Sequence, residues 1–563
     1  MTETTNQSFE KPWAQTAARV GWAILIVATL YVSYFSHLGA IGFVGPDEPR
    51  YAWVARDMME TGDWVTPRLY GKPWFEKPPL YYWGAALCFK LFGVSEAAAR
   101  LPSAISALLA TLALAWLALR LYGAETARWL LLLLPTTVGM IGFSHAAATD
   151  MPFSGMLTVA MVCAAVVLGL TGGENTPIIP RTPWLALFLF GVFLGAAVLA
   201  KGPVAIILCG GTVLFWALFT KRWREAFRLL HPATIAAFCL TALPWYILCA
   251  RRNSDFFRIF IIEHNFKRYL TPEFQHIQPF WYFVPVLIVA LIPWTYILGS
   301  ALAGATGALR TNSWREPSTL FFACWVLFVF LFFALSKSKL PGYVLPAVPA
   351  LTLIIAEHTS KRVRKSASRN FRIGFGATVT LLCLALAMGI TASHGAALFH
   401  PSLTRTFGGP FKLAMWILIC LALIAFVLAL LGRTVPLMAV SIFAVLAASF
   451  VLLKPVPWNA PKGTIVDGLS ARSFAEPPYG VDREFWINRL AVYKLNRSYE
   501  YGLDFYLHKE LPQWPQSKNF PFVLTSHKGA TELTDGGYCC ESPLFFKSPV
   551  VACKLGANAR PSP

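Results

Sequence analysis

Asp47 and Glu48 stand side by side in Gly45-Pro46-Asp47-Glu48-Pro49-Arg50-Tyr51-Ala52, just beyond the first long apolar run, about Val20 to Ile41. Adjacent carboxylates at the mouth of an apolar segment can serve as a general base or support a developing positive charge. They can equally be local structure, because Asp47 makes a good N-cap and Glu48 suits the positive end of a helix that Gly62 closes. Four more places offer chemistry. Glu76 and Lys77 sit in Phe75-Glu76-Lys77-Pro78-Pro79, Asp150 in Ala148-Thr149-Asp150-Met151-Pro152, Lys201 in Lys201-Gly202-Pro203, and two lysines and a tyrosine in Ser336-Lys337-Ser338-Lys339-Leu340-Pro341-Gly342-Tyr343. Lysines of this kind hold phosphate as point charges. Each residue also has a structural reading: Asp150 as a helix cap, Lys201, Lys337 and Lys339 as snorkelling side chains, Tyr343 as an interfacial aromatic. Glu76 with His264 can hold a divalent cation such as zinc, or simply share a hydrogen bond.

What must position these groups is a membrane body. The 563 residues are 56% hydrophobic and only 13% charged, with a mean hydropathy of +0.55, too apolar for a soluble protein of this size. Apolar runs of spanning length predict about thirteen transmembrane helices. They start near residues 20, 98, 126, 151, 184, 202, 232, 280, 317, 341, 371, 412 and 434. Lys201-Gly202-Pro203 separates the fifth from the sixth, because that tripeptide is difficult to continue as helix in lipid.

Lys and Arg in short loops are retained on the cytoplasmic side. The segments from Lys221 to Arg228 and from Lys361 to Arg372 are dense in both, which puts the N-terminus in the cytoplasm and the C-terminus outside. Met1 to Arg19 reads as the polar lead of an uncleaved anchor. On this topology Asp47, Glu48, Glu76, Lys77, Asp150, Lys201, His264 and the 336–343 segment all face the outer side, which points to one shared site. The net charge of +20 exceeds what loop retention needs, since Arg251, Arg252, Arg258, Lys267 and Arg268 lie in an outer loop. That excess suits anionic headgroups or a phosphorylated lipid.

Residues 1–453 form the membrane domain. Its first outer loop, 42–97, is expected to hold two interfacial helices, about Glu48 to Thr61 and Leu80 to Phe92, separated by the proline-rich segment from Lys72 to Pro79. Residues 454–563 lose hydropathy and read as a small outer α/β domain, with strands near Leu490–Lys494, Phe520–Leu524 and Leu544–Lys547 and a helix over Ser498–His508. Of the eleven cysteines, Cys539, Cys540 and Cys553 fall in this tail, where one disulfide to Cys553 has two possible partners. No HExxH, Walker loop or dinucleotide fingerprint occurs, so nucleotide-driven transport and zinc proteolysis have no support, and nothing suggests nucleic acid as a partner.

Together, Gly45 to Tyr51, Phe75-Glu76-Lys77-Pro78-Pro79-Leu80-Tyr81-Tyr82, Thr149 to Pro152, Lys201-Gly202-Pro203 and Ser336 to Pro346 resemble the bacterial lipid A aminoarabinose transferases. These are GT-C membrane glycosyltransferases related to protein mannosyltransferases. The resemblance implies an all-α polytopic body with a periplasmic C-terminal domain. It implies transfer of 4-amino-4-deoxy-L-arabinose from undecaprenyl phosphate to a lipid A phosphate at the periplasmic face of the inner membrane, with resistance to polymyxin as the outcome. In that reading Asp47 and Asp150 are catalytic, and Lys77, Lys201, Lys339 and Tyr343 hold the donor phosphate. Glu48, Arg50, Tyr51, Tyr81 and Lys337 support them. No cofactor is required, Glu76 and His264 being the place for any bound zinc, and the expected state is a monomer among membrane lipids. The alternatives are a GT-C enzyme acting on a protein or glycan hydroxyl, and a non-catalytic lipid-phosphate transporter.

Overall fold

The computed structural model describes residues 12–171, 183–270, 277–311, 316–364, 367–397, 401–452, 470–475, 482–515, 520–541 and 550–554. α1 (Pro12–Tyr34) ends earlier than the apolar run suggested, because the N–H groups of Phe35 and Ser36 both turn back to the Tyr31 carbonyl and His37 adopts φ 58°. The chain then crosses to α2 (Asp47–Thr61), a hairpin of β1 (Arg68–Leu69) and β2 (Lys72–Pro73), and α3 (Leu80–Phe92). Both helices expected in this loop therefore occupy the expected stretches. The hairpin was not anticipated; its turn, Tyr70-Gly71, has φ 53° and 73°, the paired positive values of a tight two-residue connection.

The membrane body follows with α4 (Glu96–Tyr122), α5 (Ala124–Leu133), α6 (Val138–Ser144), α7 (Asp150–Val167), α8 (Trp184–Lys201), α9 (Val204–Thr220), α10 (Trp223–Arg228) and α11 (Pro232–Arg252). A π-helical stretch, Arg258–Lys267, runs into α12 (Arg268–Leu270). Beyond it lie α13 (Phe283–Ala290), α14 (Thr295–Thr311), α15 (Pro317–Leu335), α16 (Val348–Arg364), α17 (Arg369–Ala397), α18 (Pro401–Leu430) and α19 (Thr434–Leu452). α7 is the innermost, buried between α4 and α8. Outward faces carry exposed apolar side chains such as Ile24, Leu112, Leu240 and Leu381, as lipid contact requires.

The chain is a multi-pass membrane protein. Among the described residues, six helices are long and apolar enough to cross a membrane, or eight when each of two bent pairs counts as one span. α5 and α6 meet at 60°, and the Phe280–Ala290 and Thr295–Gly304 pair at 115°. Pro135 and Pro293 stand in these breaks, where a prolyl ring removes a helix N–H and collides with the preceding turn. Several of the thirteen expected spans are thus short or broken helices. The division at residue 202 is a true turn: Gly202 takes φ 90°, its N–H capping α8 at Val198, and Pro203 opens α9.

The C-terminal region contains α20 (Arg483–Asn488), β3 (Leu490–Tyr493), α21 (Arg497–Leu507), β4 (Phe522–Thr525), α22 (His527–Asp535), β5 (Cys539–Glu541) and β6 (Val551–Lys554). The strands form one mixed sheet in the order β3-β4-β6-β5, with β3 and β4 parallel and the other pairs antiparallel. Cys540 and Cys553 face each other across β5 and β6 and are disulfide-bonded, so Cys540 is the partner and Cys539 stays free. The strand expected at Leu544–Lys547 lies outside the described residues.

This region sits on the first loop. The Tyr506 hydroxyl accepts from the Phe43 N–H at 2.8 Å and donates to Glu96 at 2.9 Å, while Arg472 donates to the Gly39 and Ala40 carbonyls and to Glu96. His508 contacts Glu60 at 3.1 Å, and the Tyr70 hydroxyl donates to Asp504 at 2.6 Å.

Candidate active site

α2 starts at Asp47 because Pro46 and Pro49 suit a first turn, and it stops at Gly62, whose left-handed φ of 72° returns its N–H to Met58. Asp47 makes no capping bond; it is the first helical residue and pairs with Arg50, one turn along the same face. Arg50 spreads its fork three ways, from Nε to the Pro46 carbonyl at 3.0 Å, to Glu76 at 3.3 Å and to Asp47. Although burial works against its charge, the neighbouring Glu76, Tyr51 and Asp47 hold the guanidinium above its ordinary pKa. Lys77 closes the cluster by donating to the other Glu76 oxygen at 3.3 Å. Asp47 alone of the four is about half exposed, at 51%, against 14% for Arg50, 11% for Glu76 and 13% for Lys77. It is the most exposed side chain of the cluster.

Glu48, one residue on, points inward. Both of its oxygens meet Arg100 in a bidentate pair at 3.0 and 2.8 Å, and they also accept the N–H groups of Val44 and Ala147 at 2.7 and 2.6 Å. Arg100 spends its remaining donors on the carbonyls of Leu38, Ile41 and Gly42. All five guanidinium hydrogens are thereby used. This ion pair pins the turn after α1, the start of α2 and the segment before α7 to one point. Glu48, expected in a supporting place, is thus a buried structural clamp beside Asp47. Tyr81, also expected in a supporting place, has a fully buried ring, and its hydroxyl donates to the Ala99 carbonyl at 2.9 Å. Tyr51 is also buried, its ring 6.2 Å from that of Tyr81 and 5.9 Å from the Arg50 guanidinium.

Ala147, held by Glu48, lies three residues before Asp150, so the clamp ties the second carboxylate to the first. Asp150 opens α7, and Lys201 ends α8; their side chains meet at 2.5 Å. The Lys201 ammonium also lies 4.9 Å from the centre of the Tyr343 ring and 5.5 Å from that of Phe153. Gly342 permits this, since a Cβ there would come within 2.5 Å of an Asp150 oxygen. Asp150, Lys201 and Tyr343, far apart in sequence, form one polar group. The 336–343 segment is held by the Lys337 N–H on the Tyr269 carbonyl at 3.0 Å. Lys339 turns back, buried, to donate to the Ser336 carbonyl, and burial with the nearby Lys337 lowers its pKa. The Lys337 side chain remains exposed.

Glu76, expected as a metal ligand with His264, is engaged by Arg50 and Lys77; His264 is half-buried on the π-helical stretch. Among the described residues no three His, Cys, Asp or Glu side chains gather to hold a metal ion. Arg100 was missed by the sequence reading, though an arginine five residues into a long apolar run marks a buried partner. Trp74 and Tyr501, whose rings flank Arg50 at 5.7 and 5.2 Å, carried no such signal. The geometry offers one accessible carboxylate, two clusters with ammonium groups, and an aromatic surround. Such a set can neutralise a phosphate and orient a cationic sugar.

A protein-family model described as dolichyl-phosphate-mannose-protein mannosyltransferase matches residues 20–260. An undecaprenyl phosphate-alpha-4-amino-4-deoxy-L-arabinose arabinosyl transferase of Pseudomonas aeruginosa (strain UCBPP-PA14) is 32% identical over 370 residues, covering 66% of this chain and 65% of the relative. Its counterpart in Edwardsiella ictaluri is 30% identical over 390 residues, covering 66% of each. The matched stretch thus spans just under two thirds of these relatives' own length. Among solved structures, ArnT from Cupriavidus metallidurans bound to undecaprenyl phosphate superposes with a TM-score of 0.73 at 24% identity, over 96% of this chain and all of that one. The same protein in its apo state gives 0.72 at 23% identity, over 97% and 100%.

Proposed function

From a chain that is a relative of the aminoarabinose arabinosyl transferases and has the fold of an ArnT, we propose a lipid-linked glycosyltransferase that moves 4-amino-4-deoxy-L-arabinose from undecaprenyl phosphate to a phosphate of lipid A. The site faces the periplasm at the inner membrane, the N-terminus lying in the cytoplasm. The observation that carries the reading is the half-exposed Asp47 held by Arg50 beside the Glu76–Lys77 pair.

A lipid A phosphate is already anionic near neutral pH, so no strong base is needed and positioning with charge neutralisation dominates. One acceptor oxygen attacks the anomeric carbon as the bond to the donor phosphate breaks, and the bonding pair leaves with undecaprenyl phosphate. Lys77 and Lys201 offset the charge that collects there, with Tyr343 beside Lys201. Asp47 pairs with the sugar's ammonium or supports positive charge at its anomeric carbon. Direct displacement inverts that centre. We read the ammonium groups as sufficient without a metal, so activity persists after chelation with EDTA; strict loss and rescue by one divalent ion would return Glu76 and His264 to a metal role.

The match to a mannosyltransferase family favours one other acceptor, a protein or glycan hydroxyl. That reaction needs a base, and only Asp47 of the acidic pair is accessible. Mass spectrometry of lipid A from cells that make the donor, with and without this chain, separates the two. The expected result is an amino sugar on lipid A with the wild-type chain and none with Asp47→Asn, whose protein still accumulates in the membrane. Unchanged lipid A despite donor and inserted protein would shift the assignment to the hydroxyl acceptor.

A further inference from the structure

Arg50 lies inside a cage of three rings. Its guanidinium carbon is 5.9 Å from the centre of Tyr51, 5.7 Å from Trp74 and 5.2 Å from Tyr501. Tyr51 and Trp74 belong to the first loop, but Tyr501, the nearest of the three, comes from α21 of the C-terminal region. α21 is firmly seated. Asn496 caps it through the Ser498 N–H, Gly502 lies so close to Ala471 that a Cβ would reach within 2.6 Å, and Asp504 accepts from Tyr70. A long arginine side chain has considerable rotamer freedom, and an aromatic face restricts it while leaving the fork's hydrogen bonds unspent.

We propose that Tyr501 is a positioning residue for sugar transfer: the C-terminal region closes the site by laying this ring on Arg50, which in turn holds Asp47 toward the substrate. The inference rests on the reading of Asp47, Glu76 and Lys77 as the donor-handling cluster. It also gives the C-terminal region a catalytic purpose beyond seating on the loop.

The test uses the purified full-length chain with undecaprenyl phosphate-linked aminoarabinose and lipid A, and compares Tyr501→Phe, Tyr501→Leu, Arg50→Ala and the double variant Tyr501→Leu/Arg50→Ala. Tyr501→Phe keeps the ring face and is expected to stay within about twofold of wild type, whereas Tyr501→Leu keeps apolar bulk and is expected to lose roughly 3- to 30-fold in kcat/KM. In the Arg50→Ala background the leucine substitution adds no further loss. Resistance of the C-terminal region to limited proteolysis stays unchanged in Tyr501→Leu. Wild-type activity in Tyr501→Leu alongside an impaired Arg50→Ala would overturn the proposal and leave the site reading standing. So would equal losses in the phenylalanine and leucine variants, additive losses in the double variant, or proteolysis that tracks the activity loss. An Arg50→Ala chain as active as wild type would instead remove the site reading, and this proposal with it.

Discussion

Asp47 keeps half of its side chain in reach of solvent, whereas Glu48, the next residue, is sealed against Arg100 with both oxygens bonded. The difference is energetic as well as geometric. A buried ion pair gains little over an apolar replacement, yet removing one partner strands the other charge without water, at a cost of about 3–5 kcal/mol. Glu48→Ala is accordingly expected to lower the thermal stability of the detergent-solubilised protein sharply, because Arg100 loses its carboxylate partner and the Val44 and Ala147 N–H groups lose their acceptor. Asp47→Asn, by contrast, is expected to melt close to wild type while losing transfer. A Glu48→Ala melting curve that overlays wild type would mean that the clamp does not hold the loop.

At the scale of elements, the site depends on where helices begin and end. α2 and α7 both start at an aspartate, α8 ends at Lys201, and a short 3-10 turn, Pro341–Ala347, brings Gly342 and Tyr343 against them. The approach is close enough that Gly342 cannot acquire a side chain without moving Asp150. Gly342→Ala is expected to cost about 1–3 kcal/mol of stability through overpacking. It should also reduce turnover at least about tenfold by displacing the Asp150–Lys201 pair, an ångström-scale shift being enough for such losses. Steady-state rates at matched protein levels check this; unchanged turnover would mean that the pair only joins α7 to α8.

For the whole molecule, the question is how the C-terminal region and the membrane body act as one. Asp504 sits in their interface with Tyr70 and the Leu511 N–H on its two oxygens, and burial pushes its pKa up to about 7. Its folded-state pKa lies above the unfolded value, so its contribution is complete below the ordinary aspartate range and is lost as pH rises toward about 7. Other charged groups face the same contact: Glu500 and Glu510 disfavour the Asp504 charge, and His508 meets Glu60 at 3.1 Å. Resistance of the C-terminal region to proteolysis should therefore fall between pH 5 and pH 8 by more in wild type than in Asp504→Asn, which stays neutral. Parallel profiles in the two proteins would remove Asp504 from the seating of this region.

The membrane body, both helices of the first loop, the turn at Gly202 and most polar members of the candidate site are legible in the sequence because each rests on local chemistry: apolar run length, a left-handed glycine, prolines that break helices, or charges that lipid does not tolerate unpaired. Division of labour between neighbouring carboxylates is not local. Which of Asp47 and Glu48 stays exposed depends on Arg100, 52 residues from Glu48, and Lys339 looks as available as Lys201 until its ammonium is found turned into its own loop. The choice of Cys540 over Cys539 follows from the register of β5 on β6, since side chains alternate between sheet faces. The tyrosine that completes the cage around Arg50 lies some 450 positions away, with no spacing or motif to announce it. Local sequence determined which segments are helix and which residues are too polar for lipid; only the tertiary packing decided which charges neutralise one another and which stays exposed.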